Sequence, residues 1–118
     1  MEACPQGWHL PSHDEWNDLI NYLGGATVAG EKMKEEGLEY WDEPNEGATN
    51  ESGFKALPGG TTGWARAGMF AFFWSSTLDP DGAYLYPWRV YLMYDSAAAT
   101  VLVNTYKQDG FSIRCIKD

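Results

Sequence analysis

The final third of the chain contains four short runs of strand-forming residues, and this pattern constrains the fold more than any other feature. The runs are "MFAFFWSST", "YLYPWRVYLMY", "ATVLVNTY" and "GFSIRCIKD". The turn-forming sequences "DPDG", "DSAAA" and "KQDG" separate them. Short strands joined by such turns are typical of an antiparallel meander, in which each strand pairs with the next. We therefore predict a β-meander of four strands.

The N-terminal third predicts two helices. Ser12 and Glu15 have the spacing of a capping box. Behind them, apolar residues recur at helical spacing, namely Trp16, Leu19, Ile20 and Leu23. The pair Gly24-Gly25 ends this helix, and a shorter helix is predicted from about Val28 to Glu35. Two helices followed by antiparallel strands indicate an α+β fold.

A long segment between the helices and the strands is rich in Gly, Asn, Pro and Glu and predicts a loop from Leu38 to Gly63. A loop of this length in a compact domain is usually functional or held in place by its own side chains. At 118 residues the chain can form one hydrophobic core but not two. We expect a single domain over residues 1–118, monomeric and part of a larger protein.

Charge and hydropathy exclude two classes of partner. The chain has 17 acidic and 8 basic residues, which gives a net charge of −9. Such a charge repels phosphate backbones and anionic membranes, so we expect no nucleic-acid partner. No apolar run approaches the roughly 20 residues that span a bilayer, and no signal peptide is visible. We expect no membrane insertion by this domain, and an export signal that has been trimmed before "MEACP".

The two cysteines, Cys4 and Cys115, lie almost at the two ends of the chain. They are either two buried thiols or a disulfide that closes nearly the whole chain. In the chain-entropy account, such a bridge would stabilise the fold by about 4–5 kcal/mol. We favour the disulfide, which predicts an exported protein located at the cell surface or outside the cell.

The titratable residues do not form a recognisable catalytic pattern. His9 is interpreted as a structural histidine, and His13, at the first position of the first helix, is expected to be solvated. No metalloprotease, phosphate-loop or dinucleotide-binding motif occurs. The carboxylates between Glu35 and Glu46 are more simply a solvated acidic loop than a glycosidase pair. We expect no enzymatic activity and no cofactor.

The tripeptide Glu43-Pro44-Asn45 raises one metal hypothesis. Mannose-type C-type lectins use this tripeptide to bind Ca²⁺ and sugar hydroxyls together, and Ca²⁺ prefers six to eight oxygen ligands. Such lectins also need Trp-Asn-Asp on a later strand, where this chain has Trp74-Ser75-Ser76 without a carboxylate or amide. A Ca²⁺-dependent carbohydrate-binding lectin therefore stays an alternative, and no metal site is predicted.

Several long stretches resemble the Fibrobacter succinogenes major paralogous domain, a family of exported bacterial surface proteins with a C-type-lectin-like fold. They are "CPQGWHLPSHDEW", "YLGGATVAGEKMK", "PNEGATNESGFKALPGG", "FWSST" and "GFSIRCIKD". The resemblance implies a domain with adjacent termini, which fits a Cys4–Cys115 bridge. It also assigns Pro44-Asn45 to the scaffold, which leaves Glu43 to complete the lectin tripeptide by chance.

The chain departs from the family pattern in its penultimate strands. The family has many Tyr, Asn, Ser and Arg residues there. The matching positions in this chain are Tyr91, Met93, Leu102, Val103 and Tyr106. Substitution concentrated in one region of an intact frame resembles the variable proteins of diversity-generating retroelements. A binding protein diversified in this way is a second alternative.

Strand alternation divides the run from Tyr84 to Tyr94 into two faces. The expected core face consists of Trp88, Val90, Leu92 and Tyr94. The expected outer face consists of Arg89, Tyr91, Met93 and Asp95, continued on the next strand by Thr100, Leu102, Asn104 and Tyr106. Tyr84, Leu85 and Tyr86 are expected at its rim. Tyr, Arg and Met are enriched at binding surfaces, so the outer face is the candidate site.

The predicted function is that of a non-catalytic module which binds a protein or glycan ligand for an exported bacterial surface protein. The predicted ligand-binding residues are Tyr84, Tyr86, Arg89, Tyr91, Met93, Leu102, Asn104 and Tyr106. Exposed apolar patches of this kind are usually binding sites. The remaining alternative is a structural surface domain whose sheet is buried on both faces, with the loop from Leu38 to Gly63 covering the second face.

Overall fold

A computed structural model describes residues 3–60, 67–78, 87–103 and 110–118. The described residues form an α+β fold with two helices, as predicted, and their strands form two antiparallel sheets. The helices are α1 (His13–Tyr22) and α2 (Ala29–Met33). The strands are β1 (Trp8–His9), β2 (Phe70–Leu78), β3 (Pro87–Met93), β4 (Ala99–Val103) and β5 (Ile116–Lys117).

The main sheet is a three-stranded meander in the order β2-β3-β4. The prediction of a fourth strand in this meander is wrong. After a single parallel bridge between Ser112 and Phe73 at the edge of β2, the C-terminal segment leaves the main sheet. It then forms β5, which pairs with β1 in a separate two-stranded sheet. The cross-link of Cys115 to Cys4 holds this segment beside the N-terminus.

The termini lie side by side because Cys4 and Cys115 form a disulfide. Their Cα atoms are 5.9 Å apart, although 111 positions separate them in sequence. The predicted pairing and the predicted adjacency of the ends are thus confirmed. Of the two alternatives for the cysteines, the pair of buried thiols is wrong.

Helix α1 begins with the predicted capping box. The Ser12 hydroxyl accepts a hydrogen bond from the Glu15 backbone N–H at 3.1 Å, and the Glu15 carboxylate accepts one from the Ser12 N–H at 3.1 Å. These two bonds satisfy N–H groups that a helix start otherwise leaves without partners. Trp16 and Ile20 are buried on one side of α1, so the apolar stripe of the sequence is its core-facing side.

Helix α2 is shorter than predicted. It ends at Met33 because the chain then becomes extended at Lys34 and forms a parallel bridge with Ala56. Close packing also fixes its position. A Cβ atom on Gly30 would lie 2.2 Å from the Ala98 carbonyl oxygen, so only glycine permits α2 to approach the turn before β4 this closely.

Residues 38–60 are irregular, and buried side chains hold them in place. Trp41 is 2% exposed, and its indole N–H donates to the Ala56 carbonyl at 3.0 Å. Asn45 is 6% exposed, and its amide nitrogen donates to the carbonyls of Glu35 (3.0 Å) and Gly37 (2.8 Å). The described part of the predicted loop is therefore an ordered part of the domain.

A fully buried lysine connects three segments of the fold. The Lys34 ammonium donates to the carbonyls of Glu46 (3.0 Å), Met93 (2.9 Å) and Ser96 (2.9 Å). Burial lowers the pKa of Lys34, and the charges of Glu46, Asp95 and Glu31 oppose that shift. The sequence gives no sign of this burial, since a lysine followed by two glutamates in a polar segment is normally solvated.

The hydrophobic core lies between the helices and one face of the main sheet, the core face. Trp16 and Ile20 of α1, Met33 of α2 and Trp41 pack there. The sheet contributes Ala71 and Phe73 from β2, Val90 and Leu92 from β3, and Ala99 from β4. Within the described part of the chain, no helix has the length and apolar character needed to cross a membrane.

Candidate functional site

The main sheet has the two faces that strand alternation predicts. Val90 and Leu92 are fully buried on the core face, and Tyr94 packs against the core at the end of β3. Trp88 is only partly buried, and its ring lies 4.4 Å from the imidazole of His13. His13 was expected to be solvated, and its side chain is 28% exposed because Trp88 covers part of it.

The opposite face of the main sheet, called the outer face below, carries large side chains from all three strands. Cross-strand partners lie on the same face of a sheet. The pairs are Phe70 with Met93, Phe72 with Tyr91, Trp74 with Arg89, Tyr91 with Thr100, and Arg89 with Leu102. The outer face thus consists of Phe70, Phe72, Trp74, Arg89, Tyr91, Met93, Thr100 and Leu102.

Aromatic rings pack continuously along the outer face. Phe70 stacks on Phe72 at 5.3 Å between ring centroids, and the Tyr91 ring lies 6.0 Å from that of Phe72. Phe111, from the C-terminal segment, stacks on Phe72 at 4.9 Å and contacts Trp74 at 4.3 Å. Separations of this size are favourable for offset and tilted aromatic pairs.

Arg89 is the one charged residue among the residues of β2, β3 and β4. Its guanidinium carbon lies 5.5 Å from the Phe72 ring centroid, 5.6 Å from that of Tyr91 and 5.9 Å from that of Phe111. Guanidinium groups stack favourably on aromatic faces because they are planar and weakly hydrated. Arg89 and three rings therefore form the centre of the outer face.

Exposure varies strongly across the outer face. Phe72 is 3% exposed beneath its aromatic neighbours, whereas Leu102 is 43% exposed. Phe70, Trp74, Arg89, Tyr91 and Met93 are intermediate. The rings packed on Phe72 come from β2, β3 and the C-terminal segment rather than from the loop that the structural alternative invoked.

Four of the eight predicted ligand-binding residues come together on the outer face, namely Arg89, Tyr91, Met93 and Leu102. The other four, Tyr84, Tyr86, Asn104 and Tyr106, lie outside the described residues. Sequence analysis missed the contribution of β2 and of Phe111. The signal for β2 was present in the run "FAFFW", where Phe70, Phe72 and Trp74 alternate with core residues.

One end of the outer face is bordered by exposed carboxylates, and we call Asp42, Glu46 and Asp95 the acidic end. The Asp42 N–H donates to the Gly68 carbonyl at 2.8 Å, directly before β2. The Glu46 N–H donates to the Tyr94 carbonyl at 2.8 Å, directly after β3, and Asp95 is the next residue. All three side chains are exposed.

The family described as "Fibrobacter succinogenes major domain" matches residues 1–117. The chain belongs to this family. The match confirms the resemblance that the sequence motifs indicated. Searches of curated proteins and of solved structures found no match. The family name states no activity.

The lectin-like tripeptide Glu43-Pro44-Asn45 is divided between the surface and the interior of the domain. Glu43 is exposed, whereas Asn45 is buried and its amide nitrogen binds the carbonyls of Glu35 and Gly37. On β2, Ser75 is buried and its hydroxyl accepts from the Thr77 N–H at 3.1 Å. Across the described ranges, no three His, Cys, Asp or Glu side chains are grouped to hold a metal ion.

His9 lies in a cluster of charged groups where the termini meet. One ring nitrogen is 2.8 Å from a Glu15 carboxylate oxygen, and the other is 2.6 Å from an Asp118 carboxylate oxygen. Hydrogen bonds with Glu15 and then Asp118 raise the pKa of His9, and the hydrogen bond with His9 lowers the pKa of Glu15. We call these three residues the terminal clasp, and it accounts for His9 as a structural histidine.

Proposed function

We propose that this domain is a non-catalytic ligand-binding module of an exported bacterial surface protein and that its outer face is the binding site. One observation carries the proposal. The main sheet has a complete core face, yet its other face presents a second apolar and aromatic layer centred on Arg89. Antiparallel sheets commonly pack one face on the core and expose a polar face to water.

Folding alone does not account for this second layer. Phe72 is sealed by its neighbours, but Leu102 is 43% exposed and Tyr91 and Met93 are partly exposed. Leaving such side chains in contact with water forgoes hydrophobic stabilisation, about 25 cal/mol for each Å² of apolar area. Contiguous patches of this kind typically mark interaction sites, and Tyr, Arg and Met are common in them.

The proposed location follows from the disulfide. Disulfides persist mainly in oxidising compartments, so the Cys4–Cys115 bridge supports export. For the fold we propose a C-type-lectin-like arrangement, which the family resemblance implies. The adjacent termini and the order of helices, irregular segment and antiparallel strands support it. An experimental structure whose nearest relatives have another fold would contradict it.

The double substitution Tyr91→Ala/Met93→Ala tests the binding site. We expect it to lower the free energy of unfolding by no more than about 2 kcal/mol, because both side chains are partly exposed. Ligand affinity should fall at least about tenfold, since contacts at the centre of an interface contribute most to binding. The measurements are denaturant unfolding and binding to a glycan array and to a panel of bacterial surface proteins.

A matched control removes apolar area elsewhere on the surface. Tyr22 and Leu38 are 83% and 57% exposed and lie outside the outer face, so Tyr22→Ala/Leu38→Ala should bind as the wild type does. If the Tyr91→Ala/Met93→Ala protein does not fold, the two residues belong to the core. If it folds and keeps full affinity for every ligand that the wild type binds, the proposed site is wrong.

A further inference from the structure

The distribution of charge on the main sheet separates two parts of its surface. Arg89 is the single charged residue within β2, β3 and β4. The acidic residues that the structure describes lie on the helices, between α2 and β2, in the turn after β3 and at the C-terminus. The outer face, also called the strip below, therefore carries no charge except that of Arg89. The net charge of the whole domain, by contrast, is −9.

The acidic end lies immediately beside this strip. Asp42 is hydrogen-bonded through its backbone to Gly68, next to Met69, which is 36% exposed. Glu46 is hydrogen-bonded to Tyr94, next to Met93. The same backbone bonds thus place exposed acidic residues beside the end of the sheet where Phe70 and Met93 pair on the outer face.

We propose that the outer face binds a protein segment that presents apolar side chains to the strip and Lys or Arg side chains to the acidic end. This inference rests on the proposed function, because it names the class of ligand for the same face. It goes further in two respects: the ligand is a protein rather than a glycan, and the ligand is basic.

The chemistry of the strip favours a protein. Met93 and Leu102 offer flexible or branched apolar contacts without hydrogen-bond donors, which suit apolar side chains of a partner. Sugar recognition depends on open aromatic platforms and several polar groups. Phe72, at the centre of the aromatic packing, is only 3% exposed and offers no open ring face.

Charge complementarity favours a basic partner. Opposite potentials accelerate encounter and fix the orientation of two surfaces, whereas like charges repel. An acidic segment would meet both the acidic end and the field of the whole domain. A basic segment would be attracted by both, and its apolar residues would then cover Met93 and Leu102.

A selection from a displayed library of random peptides tests the inference, with the disulfide-bonded domain as bait. The selected peptides should combine aromatic or aliphatic residues with an excess of Lys and Arg over the unselected library. Their affinity should fall roughly tenfold for Asp42→Asn/Asp95→Asn, since this variant removes two exposed ion pairs with the peptide. Most of the loss should be in the association rate, and the salt dependence should become weaker.

A matched pair of substitutions separates local from general charge effects. Asp14 and Asp18 are exposed on α1, so Asp14→Asn/Asp18→Asn changes the net charge by the same amount away from the outer face. The inference requires this variant to bind the selected peptides as the wild type does. The inference is overturned if the two double substitutions weaken peptide binding equally. It is also overturned if the selected peptides contain no excess of Lys and Arg.

The variant Tyr91→Ala/Met93→Ala distinguishes failure of the inference from failure of the proposed function. If selected peptides depend on Tyr91 and Met93 but are neutral or acidic, the face binds ligands and only the basic-partner inference is wrong. If no peptide depends on these residues but a glycan on the array does, the ligand is not a protein. If neither kind of ligand depends on them, the proposed function fails as well.

Discussion

Lys34 places an ammonium group in the interior and gives each of its three N–H donors a carbonyl partner. Removing a charge from water is costly, and hydrogen bonds must offset this cost. The three carbonyls belong to residues 46, 93 and 96, so one side chain joins the irregular segment to the end of β3 and to the turn between β3 and β4. Lys34 therefore also supports the acidic end of the outer face.

Replacement of Lys34 by Met tests this role. Methionine has a similar shape but no donor, so three carbonyl groups lose the hydrogen bond that Lys34 donates to them. We expect the free energy of unfolding to fall by about 2–4 kcal/mol, because each unsatisfied buried group costs about 1–3 kcal/mol and loss of the buried charge offsets part of that. Denaturant unfolding at equilibrium measures the change.

The control for this substitution is Lys117→Met, at an exposed position on β5. Substitutions on the surface usually change stability by less than about 0.5 kcal/mol. A Lys34→Met protein as stable as the Lys117→Met protein would show that the three hydrogen bonds do not contribute net stability.

Among the secondary-structure elements, β1, α1 and the chain end after β5 meet at the terminal clasp of His9, Glu15 and Asp118. A neutral imidazole carries one N–H, so it can donate to only one of the two carboxylates that face its nitrogens. The protonated ring donates to both. Deprotonation of His9 therefore removes one of the two contacts that connect β1 with α1 and with the C-terminus.

This geometry predicts how stability depends on pH. The pKa of His9 is raised, so its contribution is fully present below the unfolded value of 6.5 and is lost as the pH rises through the folded pKa. The pKa of Glu15 is lowered, so its contribution is present above 4.5 and is lost as the pH falls through the folded pKa. The clasp should stabilise most between these two unfolded values.

Thermal unfolding at a series of pH values measures the effect. We expect Tm of the wild type to decline as the pH rises above 6.5, and we expect a smaller decline for His9→Gln. The variant His13→Gln removes the other histidine and leaves the clasp intact, so it should decline like the wild type. Identical pH profiles for the wild type and His9→Gln would contradict this account of the clasp.

For the molecule as a whole, the Cys4–Cys115 disulfide restricts the unfolded chain more than it adds contacts to the folded one. A bridge between positions 111 residues apart closes almost the entire chain. In the chain-entropy account, closure of a loop of about 100 residues stabilises a protein by about 4.7 kcal/mol. That amount is comparable to the total stability of many small domains.

Replacing both cysteines by serine should therefore lower the free energy of unfolding by about 4–5 kcal/mol. Because the unfolded chain would no longer be cross-linked, more surface would be exposed on unfolding, and the slope of free energy against denaturant should increase. Equilibrium denaturation of the Cys4→Ser/Cys115→Ser protein provides both quantities. A loss below about 1 kcal/mol with an unchanged slope would show that the bridge does not restrict the unfolded chain.

The sequence by itself determined the features that depend on local spacing. The capping box at Ser12, the helix α1, the three strands β2, β3 and β4, and the core positions Val90 and Leu92 could all be predicted because periodicity and turn residues are local properties. The family was also predicted, from long contiguous motifs, and the match over residues 1–117 confirmed it. The Cys4–Cys115 pairing could be predicted because two cysteines allow only one bridge and the family resemblance implied adjacent termini.

Only the tertiary structure decided which distant residues meet. The segment after Gly110 has strand-like composition, yet it pairs with β1 because the disulfide draws it to the N-terminus. Lys34 has an ordinary surface sequence context, and three carbonyls that are remote in sequence make its burial possible. The candidate site also has a local and a tertiary part. Strand alternation predicted that Arg89, Tyr91 and Met93 share one face. The pairing of β2 with β3 added Phe72 and Trp74 to this face, and the C-terminal segment added Phe111. Residue periodicity within a helix or strand is a local property that the sequence displays directly. Contacts between strands and with loops join residues that are distant in sequence, so they form only when the whole chain has folded.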